Sequence, residues 1–229
     1  MTKTILVTGA GRGIGRQLTR RLVRDGHRVT ALVRDPATVP DPGCRTVTAD
    51  LADPASLAAA LPRFDSLDVL VHNAGVAALG TVEDLTVEQW HRHLTVNLAA
   101  PAELTRLLLP ALRAARGLVL FVNSGAGLSA GAQWSAYGAS KHGLKALADA
   151  LRAEERGNGV RVATLYPGNV DTDMQRQLRA ESGTPYDTAR TLRPETVAQA
   201  LVSMIDLPSD AVAQDVRLVP PDPAPLPAV

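Results

Sequence analysis

The sequence predicts an α/β fold, a single doubly wound domain of the Rossmann type with helices on both faces of a parallel seven-stranded sheet. Short runs rich in Val, Leu and Ile alternate with longer segments of helical period, which is typical of repeated strand–helix–strand units. Most of these runs are continuously apolar, as expected for parallel strands that are buried on both faces. The first run leads into a glycine-rich turn, and a helical segment follows that turn.

Each element follows from this alternation. We predict strands at residues 4–7, 28–33, 46–48, 68–71, 118–122, 161–165 and 216–219, and helices at about 13–25, 54–61, 86–115, 135–156 and 194–206. Polar residues 173–193 interrupt the alternation and are predicted to form a substrate lid. Residues 220–229 contain five prolines, so we expect an extended or disordered tail after one catalytic and dinucleotide-binding domain at 1–219.

Composition excludes several classes of protein. The 229 residues are 45% hydrophobic and 21% charged, as in a globular domain rather than a disordered chain. A formal net charge of +1 gives no electrostatic footprint for nucleic acid or an anionic membrane. The single cysteine, Cys44, cannot form an internal disulfide or a Cys-based zinc site, and the sequence shows no metal-ligand cluster. No apolar run approaches the ~18–20 residues of a membrane span, so we expect a cytoplasmic protein.

The turn after the first strand reads Thr8-Gly9-Ala10-Gly11-Arg12-Gly13-Ile14-Gly15. Glycines at this position allow a tight turn and a close approach of the backbone to a ligand, and the helix N-terminus presents free amides to a pyrophosphate. The spacing through Gly9, Gly13 and Gly15 differs from the ordinary G-x-G-x-x-G pattern, and no Lys-Ser/Thr pair follows as in an ATPase loop. The turn predicts dinucleotide binding, with a purely structural turn as the alternative.

The end of the second strand indicates which dinucleotide binds. A carboxylate there accepts the ribose hydroxyls of NAD and repels the 2′-phosphate of NADP. This strand ends in a neutral residue followed by Arg34, and Arg12 in the glycine turn could reach the same phosphate. Asp35 is the competing signal for NAD. We therefore expect NADP(H), with NAD(H) less favoured.

Ser124, Tyr137 and Lys141 suggest acid–base chemistry in the second half of the chain. Tyr137 and Lys141 are four residues apart in a helical stretch, so their side chains share one face. A nearby ammonium favours the phenolate and brings the pKa of a tyrosine towards the working range. Ser124 follows a buried strand, at the sheet edge where α/β folds bind ligands, and its hydroxyl can donate to a carbonyl oxygen.

Several further motifs accompany these residues, namely His72-Asn73-Ala74-Gly75, Asn97 and Pro167-Gly168. In this order, the whole set resembles the short-chain dehydrogenase/reductase family over about residues 3–219. Ser124 precedes Tyr137 by the 13 residues usual in that family.

The resemblance implies specific roles. Tyr137 would be the general acid in carbonyl reduction and the base in alcohol oxidation, Lys141 would lower its pKa and bind the nicotinamide ribose, and Ser124 would polarise the substrate oxygen. Asn97 would complete a proton relay through a bound water. The cofactor-binding set, from the glycine turn, the two arginines and the resemblance, is Gly9, Gly11, Arg12, Gly13, Ile14, Gly15, Arg34, Asp50, Leu51, Asn73, Ala74, Gly75, Tyr137, Lys141, Pro167, Gly168, Val170 and Thr172.

Three further residues, Pro101, His72 and Asn123, lead to predictions of their own. Pro101 has no N–H to donate to the carbonyl of Asn97, four residues earlier, so that carbonyl is free to hold the relay water. A simple helix kink is the alternative, and the two are compatible. His72 and Asn123 stand where the family often has Asn and Ser. We expect His72 to make a structural hydrogen bond rather than act as an acid or base.

These observations favour an NADP(H)-dependent oxidoreductase that acts on a carbonyl compound or secondary alcohol. A catalytically idle NADP-binding sensor or scaffold is the alternative, although its signature would be loss of Tyr137 or Lys141. A sugar-nucleotide epimerase or dehydratase would have another glycine spacing and a longer substrate domain. Gln133, Trp134, Asn169 and Met174 are candidate pocket positions, and relatives suggest a homodimer or homotetramer through helices 93–115 and 135–156.

Overall fold

The computed structural model describes residues 1–183 and 186–221. Seven strands form one sheet in the order β3-β2-β1-β4-β5-β6-β7, and every pairing is parallel. The strands are β1 (Thr4–Thr8), β2 (Arg28–Val33), β3 (Arg45–Thr48), β4 (Val69–His72), β5 (Leu118–Val122), β6 (Arg161–Pro167) and β7 (Asp215–Leu218). The predicted α/β fold with a doubly wound parallel sheet is confirmed. Residues 222–229 of the predicted tail and Pro185 of the predicted lid lie outside the described residues.

Seven α-helices connect and cover the strands within the described ranges. They are α1 (Gly13–Arg24), α2 (Leu57–Ala60), α3 (Val87–Leu94), α4 (Ala100–Ala115), α5 (Ser135–Glu155), α6 (Asp173–Glu181) and α7 (Pro194–Ile205). No helix in this part of the chain combines the length and apolar character needed to cross a bilayer.

The core has one apolar layer on each face of the sheet. Leu22 of α1 and Leu201 of α7 pack with one layer, whereas Leu104 of α4 and Leu144 of α5 pack with the other. All five residues of β5 are buried, which explains the continuous apolar runs in the sequence. Because both faces are covered, ligands have access mainly at the ends of the strands.

The predicted helix over 86–115 is corrected by the structure. It consists of α3, a π-helical turn at Thr95–Ala99 and α4. In that turn the amide of Ala100 donates to the carbonyl of Thr95, five residues back. Pro101 lies in the first turn of α4, where its missing N–H is tolerated. The helical segment therefore has a wider turn, with one more residue than an α-helical turn, just before Pro101.

Two other segments differ in detail from the sequence predictions. Residues 54–61 form a 3₁₀ turn followed by the short helix α2. The segment 173–193 contains α6, because the hydroxyl of Thr172 accepts a hydrogen bond from the amide of Gln175 and caps that helix. Its polar composition concealed this helix, which has one buried residue, Leu178.

The strand order places a crevice at the centre of the sheet. Chain connections leave β1 towards β2 on one side, while β4 pairs with β1 on the other. The connections after β1 and β4 therefore diverge at the carboxyl ends of these strands, which is where doubly wound sheets bind ligands.

Candidate active site

A cleft of about 1010 Å³ opens at the carboxyl edge of the sheet. Its walls come from the turns after β1, β2, β4, β5 and β6 and from α6. The volume is at the upper end of the range for small-molecule and cofactor sites. Almost all of the predicted site residues line this cleft. Gly15 and Asn97 do not.

The glycine turn has a geometry that requires glycine at several positions. Gly9 and Gly13 have φ angles of 63° and 52°, in the left-handed region that favours glycine. A methyl group at Gly15 would clash with the carbonyl oxygen of Gly9 and lie 2.5 Å from Nδ2 of Asn73. Gly15 therefore allows α1 to pack against the turn, although it does not face the cleft.

The N-terminus of α1 is open to a ligand. Arg12 precedes the helix and makes no side-chain cap hydrogen bond, and no acidic residue lies in the first turn. The amides and positive dipole end of the helix are therefore available to an anion. A dinucleotide pyrophosphate fits this arrangement of free amides and closely packed glycines.

Asn73 and Thr8 fix the turn from behind. The Asn73 side chain donates from Nδ2 to the carbonyls of Thr8 and Gly9, at 3.0 and 3.2 Å. The amides of Asn73 and Ala74 both donate to the Thr8 hydroxyl at 3.0 Å. Thr8 thus joins the ends of β1 and β4, a role that the sequence analysis did not assign. Its position directly before Gly9 was the available signal.

The two arginines expected at a 2′-phosphate lie in different turns, Arg12 in the glycine turn after β1 and Arg34 directly after β2. Arg12 and Arg34 both line the cleft and are exposed. The competing residue, Asp35, caps a 3₁₀ turn, and its carboxylate accepts a hydrogen bond of 2.9 Å from the amide of Ala37. This local bond occupies one oxygen of the carboxylate that a ribose would need. Strand β2 ends at Val33, so Arg34 and Asp35 both lie just beyond the strand.

Ser124, Tyr137 and Lys141 meet on the opposite wall. Ser124 follows β5, whereas Tyr137 and Lys141 lie one turn apart near the start of α5. The Lys141 ammonium is 5.8 Å from the centre of the Tyr137 ring and donates to the carbonyl of Val122 at 3.3 Å. Tyr137 and Lys141 are buried, yet both line the cleft.

Burial controls the protonation of both groups in the free chain. Burial raises the pKa of Tyr137, and the nearby Ser124 hydroxyl opposes this rise. Burial lowers the pKa of Lys141 to about 8. The lowering of the tyrosine pKa expected from the lysine is therefore not the dominant effect. At neutral pH the phenol keeps its proton and the lysine keeps its charge.

Asn97 is buried behind the cleft in the π-helical turn. Its Oδ1 accepts from the amide of Val76, and its Nδ2 donates to the carbonyl of Val76, each at 2.8 Å. Nδ2 also donates at 3.0 Å to the Ser140 hydroxyl, which in turn donates to the Tyr137 carbonyl at 2.7 Å. The structure thus gives Asn97 a positioning role that joins the loop after β4 to the helix of Tyr137. The implied relay through a bound water stays a prediction.

His72 behaves as a structural residue. It is 3% exposed, stacks on Phe121 with a centroid distance of 4.9 Å, and its Nε2 is 2.8 Å from the Thr105 hydroxyl. Burial lowers its pKa to about 3, so the ring is neutral at ordinary pH. The hydrogen bond expected from the sequence is present.

His93 is a residue that the sequence analysis missed. It is buried, accepts at Nε2 from the amide of Ala78 at 3.0 Å, and presents its ring edge to Tyr137. Its other nitrogen is 2.7 Å from the carbonyl of Gln89, and together these contacts indicate the neutral Nδ1–H form. Its place one helical turn before Asn97 was the available signal.

The expected pocket positions all line the far part of the cleft. They are Gln133, Trp134, Asn169 and Met174. The Trp134 ring is 5.6 Å from that of Tyr137, and an isolated parallel bridge joins Trp134 to Gly80. The described ranges contain no group of three or more His, Cys, Asp or Glu side chains that could hold a metal ion.

The base of α6 is held by Asp171. Its carboxylate accepts hydrogen bonds from Arg176 at 2.7 Å and from the hydroxyl of Tyr186. The backbone amide of Asp171 also donates to the carbonyl of Leu192 at 2.8 Å. Asp171 therefore contacts Arg176 near the start of the segment 173–193 and Leu192 near its end, so both ends of the segment are held at the same place.

Comparisons with known proteins agree with this architecture. The family described as short chain dehydrogenase matches residues 3–183. The 2,3-dihydro-2,3-dihydroxybenzoate dehydrogenase of Escherichia coli is 32% identical, with 93% of this chain and 94% of the relative covered. The L-fucose dehydrogenase of Mus musculus is 34% identical, with 88% and 77% covered.

Solved structures show the same fold. An alcohol dehydrogenase from the archaeon Thermococcus sibiricus, complexed with 5-hydroxy-NADP, superposes with a TM-score of 0.87 and 25% identity, covering 99% of this chain and all of that one. A serine dehydrogenase complexed with NADP+ gives a TM-score of 0.83 and 26% identity, covering 95% of this chain and 94% of that one.

Proposed function

The chain belongs to the short-chain dehydrogenase family of oxidoreductases, and we propose that it transfers hydride reversibly between NADP(H) and a carbonyl or secondary alcohol substrate. The observation that carries this proposal is the meeting of Ser124, Tyr137 and Lys141 on the cleft wall that faces the glycine turn. This arrangement sets an acid–base group beside a nucleotide-binding edge.

The residues have distinct parts in carbonyl reduction. The Ser124 hydroxyl donates a hydrogen bond to the carbonyl oxygen and orients it towards Tyr137. The Tyr137 hydroxyl, protonated because burial raises its pKa, gives its proton to that oxygen as the C=O bond becomes a C–O bond. The Lys141 ammonium favours the phenolate that remains. Bound NADPH supplies the hydride that the carbonyl carbon receives.

Choice of NADP(H) rests on charge and on geometry. Arg12 of the glycine turn and Arg34 after β2 contribute two guanidiniums to the cleft wall, which suits a dianionic phosphate. Asp35 already accepts a hydrogen bond from its own turn and competes less for a ribose. The NADP complexes of similar structures support the same choice.

The direct test is NADPH oxidation with a panel of ketones and aldehydes. We expect turnover by the wild-type protein and a loss of about 100-fold or more in kcat for Tyr137→Phe, because the proton donor is removed. Tyr166→Phe is the matched control, since Tyr166 bonds to Asp215 and lies outside the cleft. Equal, background-level turnover by wild type and Tyr137→Phe would contradict the proposal. NADPH binding without turnover would instead indicate the catalytically idle alternative.

We also propose that the protein forms a homodimer or homotetramer through α4 and α5. The exposed side chains of α5 include Ala139, Ala146 and Ala150, which allow a second helix to approach closely. Light scattering is expected to give two or four chain masses. Ala146→Arg should lower that mass, whereas Ala58→Arg, at an exposed position of α2, should not. A monomeric wild-type protein would contradict this assembly.

A further inference from the structure

We infer that the substrate carries a carboxylate, attached to an apolar body, and that Arg92 and Arg179 of the cleft wall bind this carboxylate. This inference rests on the proposed function, because it names the substrate class of the same site. Both arginines line the cleft that holds Ser124 and Tyr137. They come from separate elements, α3 and the lid helix α6.

Neither guanidinium has a partner among the residues that the structure describes. The acidic groups near Arg179 are engaged by other side chains on α6. Arg176 donates to Asp171 and Asp173, and Gln177 donates to Glu181 at 2.8 Å. On α3, a hydrogen bond from the backbone amide of Glu88 and a second one from the Thr86 hydroxyl lower the pKa of the first-turn carboxylate Glu88.

The charged residues of the cleft wall also favour a negatively charged ligand. Its acidic residues are Asp35, Asp50 and Asp173. Asp35 and Asp50 lie at the adenosine end, and each accepts a hydrogen bond from a nearby backbone amide. Asp173 is paired with Arg176. The cleft wall therefore carries two cations, Arg92 and Arg179, that have no carboxylate partner among the described residues, which favours a ligand with negative charge.

The neighbouring wall indicates what the charged group is attached to. Leu79, Val96, Trp134, Met174 and Leu178 line the same cleft. Such side chains favour an apolar or aromatic body in contact with them. A planar carboxylate suits the paired N–H donors of a guanidinium. It also loses less hydration beside this apolar wall than a doubly charged phosphate would.

The test compares 4-acetylbenzoate with its methyl ester, two aryl ketones whose para group is charged in one and neutral, and more activating towards hydride, in the other. We expect wild type to prefer the acid over the ester in kcat/KM by at least tenfold, with the preference falling as salt is added. The ratio should fall about tenfold or more in Arg92→Gln/Arg179→Gln. Arg106→Gln is the control, because Arg106 is an exposed arginine of α4 paired with Glu103 and lies outside the cleft.

Calorimetry separates this inference from the proposed function. Binding of the acid to NADP-loaded protein, weakened in the double variant, supports the carboxylate site even if neither compound is turned over, in which case the proposed function fails alone. Turnover of acid and ester with equal kcat/KM in wild type overturns the carboxylate site and leaves the proposed function intact. Loss of NADPH affinity in the double variant also overturns it, since the arginines would then bind the cofactor.

Discussion

At the scale of single residues, burial affects one basic group that lies outside the cleft and one that lines it. His72 and Lys141 are 3% and 4% exposed, and burial lowers the pKa of each. His72 does not line the cleft and becomes a neutral packing group. Lys141 faces the cleft, so its depressed pKa places a change of charge near physiological pH.

The acid stability of the protein is expected to depend on His72. Its pKa falls from 6.5 to about 3 on folding, so below pH 6.5 the unfolded chain binds a proton that the folded chain refuses. Stability is therefore present above pH 6.5 and is lost as the pH falls, by about 2–3 kcal/mol at pH 4.5. His72→Asn should reduce this loss in urea unfolding measured at pH 7 and 4.5. The exposed His91→Asn serves as control, and equal losses in all three proteins would contradict the prediction.

The pH profile of reduction should report Lys141. Its pKa of about 8 means that the ammonium is lost as the pH rises through 8, well before an ordinary lysine would titrate. With that charge gone, the phenolate formed by proton donation is less stable. We expect kcat/KM for NADPH, which reflects the free enzyme, to fall up to about tenfold per pH unit above 8. Lys141→Arg keeps its charge and should lose this decline, whereas a wild-type profile flat to pH 10 would be inconsistent with it.

At the scale of elements, two turns decide where the functional groups lie. The π-helical turn at Thr95–Ala99 brings Asn97 against the loop after β4, and the glycine turn brings α1 against β1. Both depend on backbone geometry that one side chain can disturb. The glycine turn allows the cleaner experiment, because its clash is with backbone atoms.

Gly15→Ala is expected to weaken NADPH binding at least tenfold and to destabilise the protein by about 1–3 kcal/mol. The added methyl would clash with the Gly9 carbonyl and with Asn73, and so would move the turn that receives the pyrophosphate. Cofactor fluorescence titration and thermal unfolding measure the two effects. Gly157→Ala is the matched control, since a methyl there meets nothing within 4 Å. Wild-type affinity in Gly15→Ala would show that the turn tolerates the shift.

At the scale of the whole molecule, the sheet holds both halves of the reaction in one rigid frame. The glycine turn follows β1 and Ser124 follows β5, with β4 between them. A ligand that spans the cleft therefore contacts the ends of adjacent strands. Its binding to the folded state alone should stabilise the entire fold.

NADPH at 100 times its Kd should raise the free energy of unfolding by about 2.7 kcal/mol. That corresponds to an increase of about 5–10 °C in Tm for a chain of this size. NADH at the same concentration should give a smaller shift, and Arg12→Ala/Arg34→Ala should reduce the NADPH shift to that level. Differential scanning calorimetry checks this, and equal shifts by both cofactors in wild type would count against NADP preference.

The strands, the glycine turn and the spacing of Ser124, Tyr137 and Lys141 were predictable from the sequence, because they depend on local periodicity and local backbone geometry. Parallel strands buried on both faces leave continuous apolar runs, and a helical spacing of four fixes a shared face. Segment 173–193 and the helix over 86–115 were less well predicted, since capping by Thr172 and the turn at Thr95–Ala99 outweigh composition and period there.

The contacts between residues that are distant in sequence became visible only in the folded chain. It joined Asn97 to Val76 and Tyr137 through Ser140, placed His93 against Tyr137, and left Arg92 and Arg179 without partners in the described part of the cleft. It also buried Tyr137, and this burial raises the pKa of its hydroxyl in the free chain. The physical reason is that burial and charge pairing depend on which elements meet in space, and sequence spacing alone does not specify those neighbours.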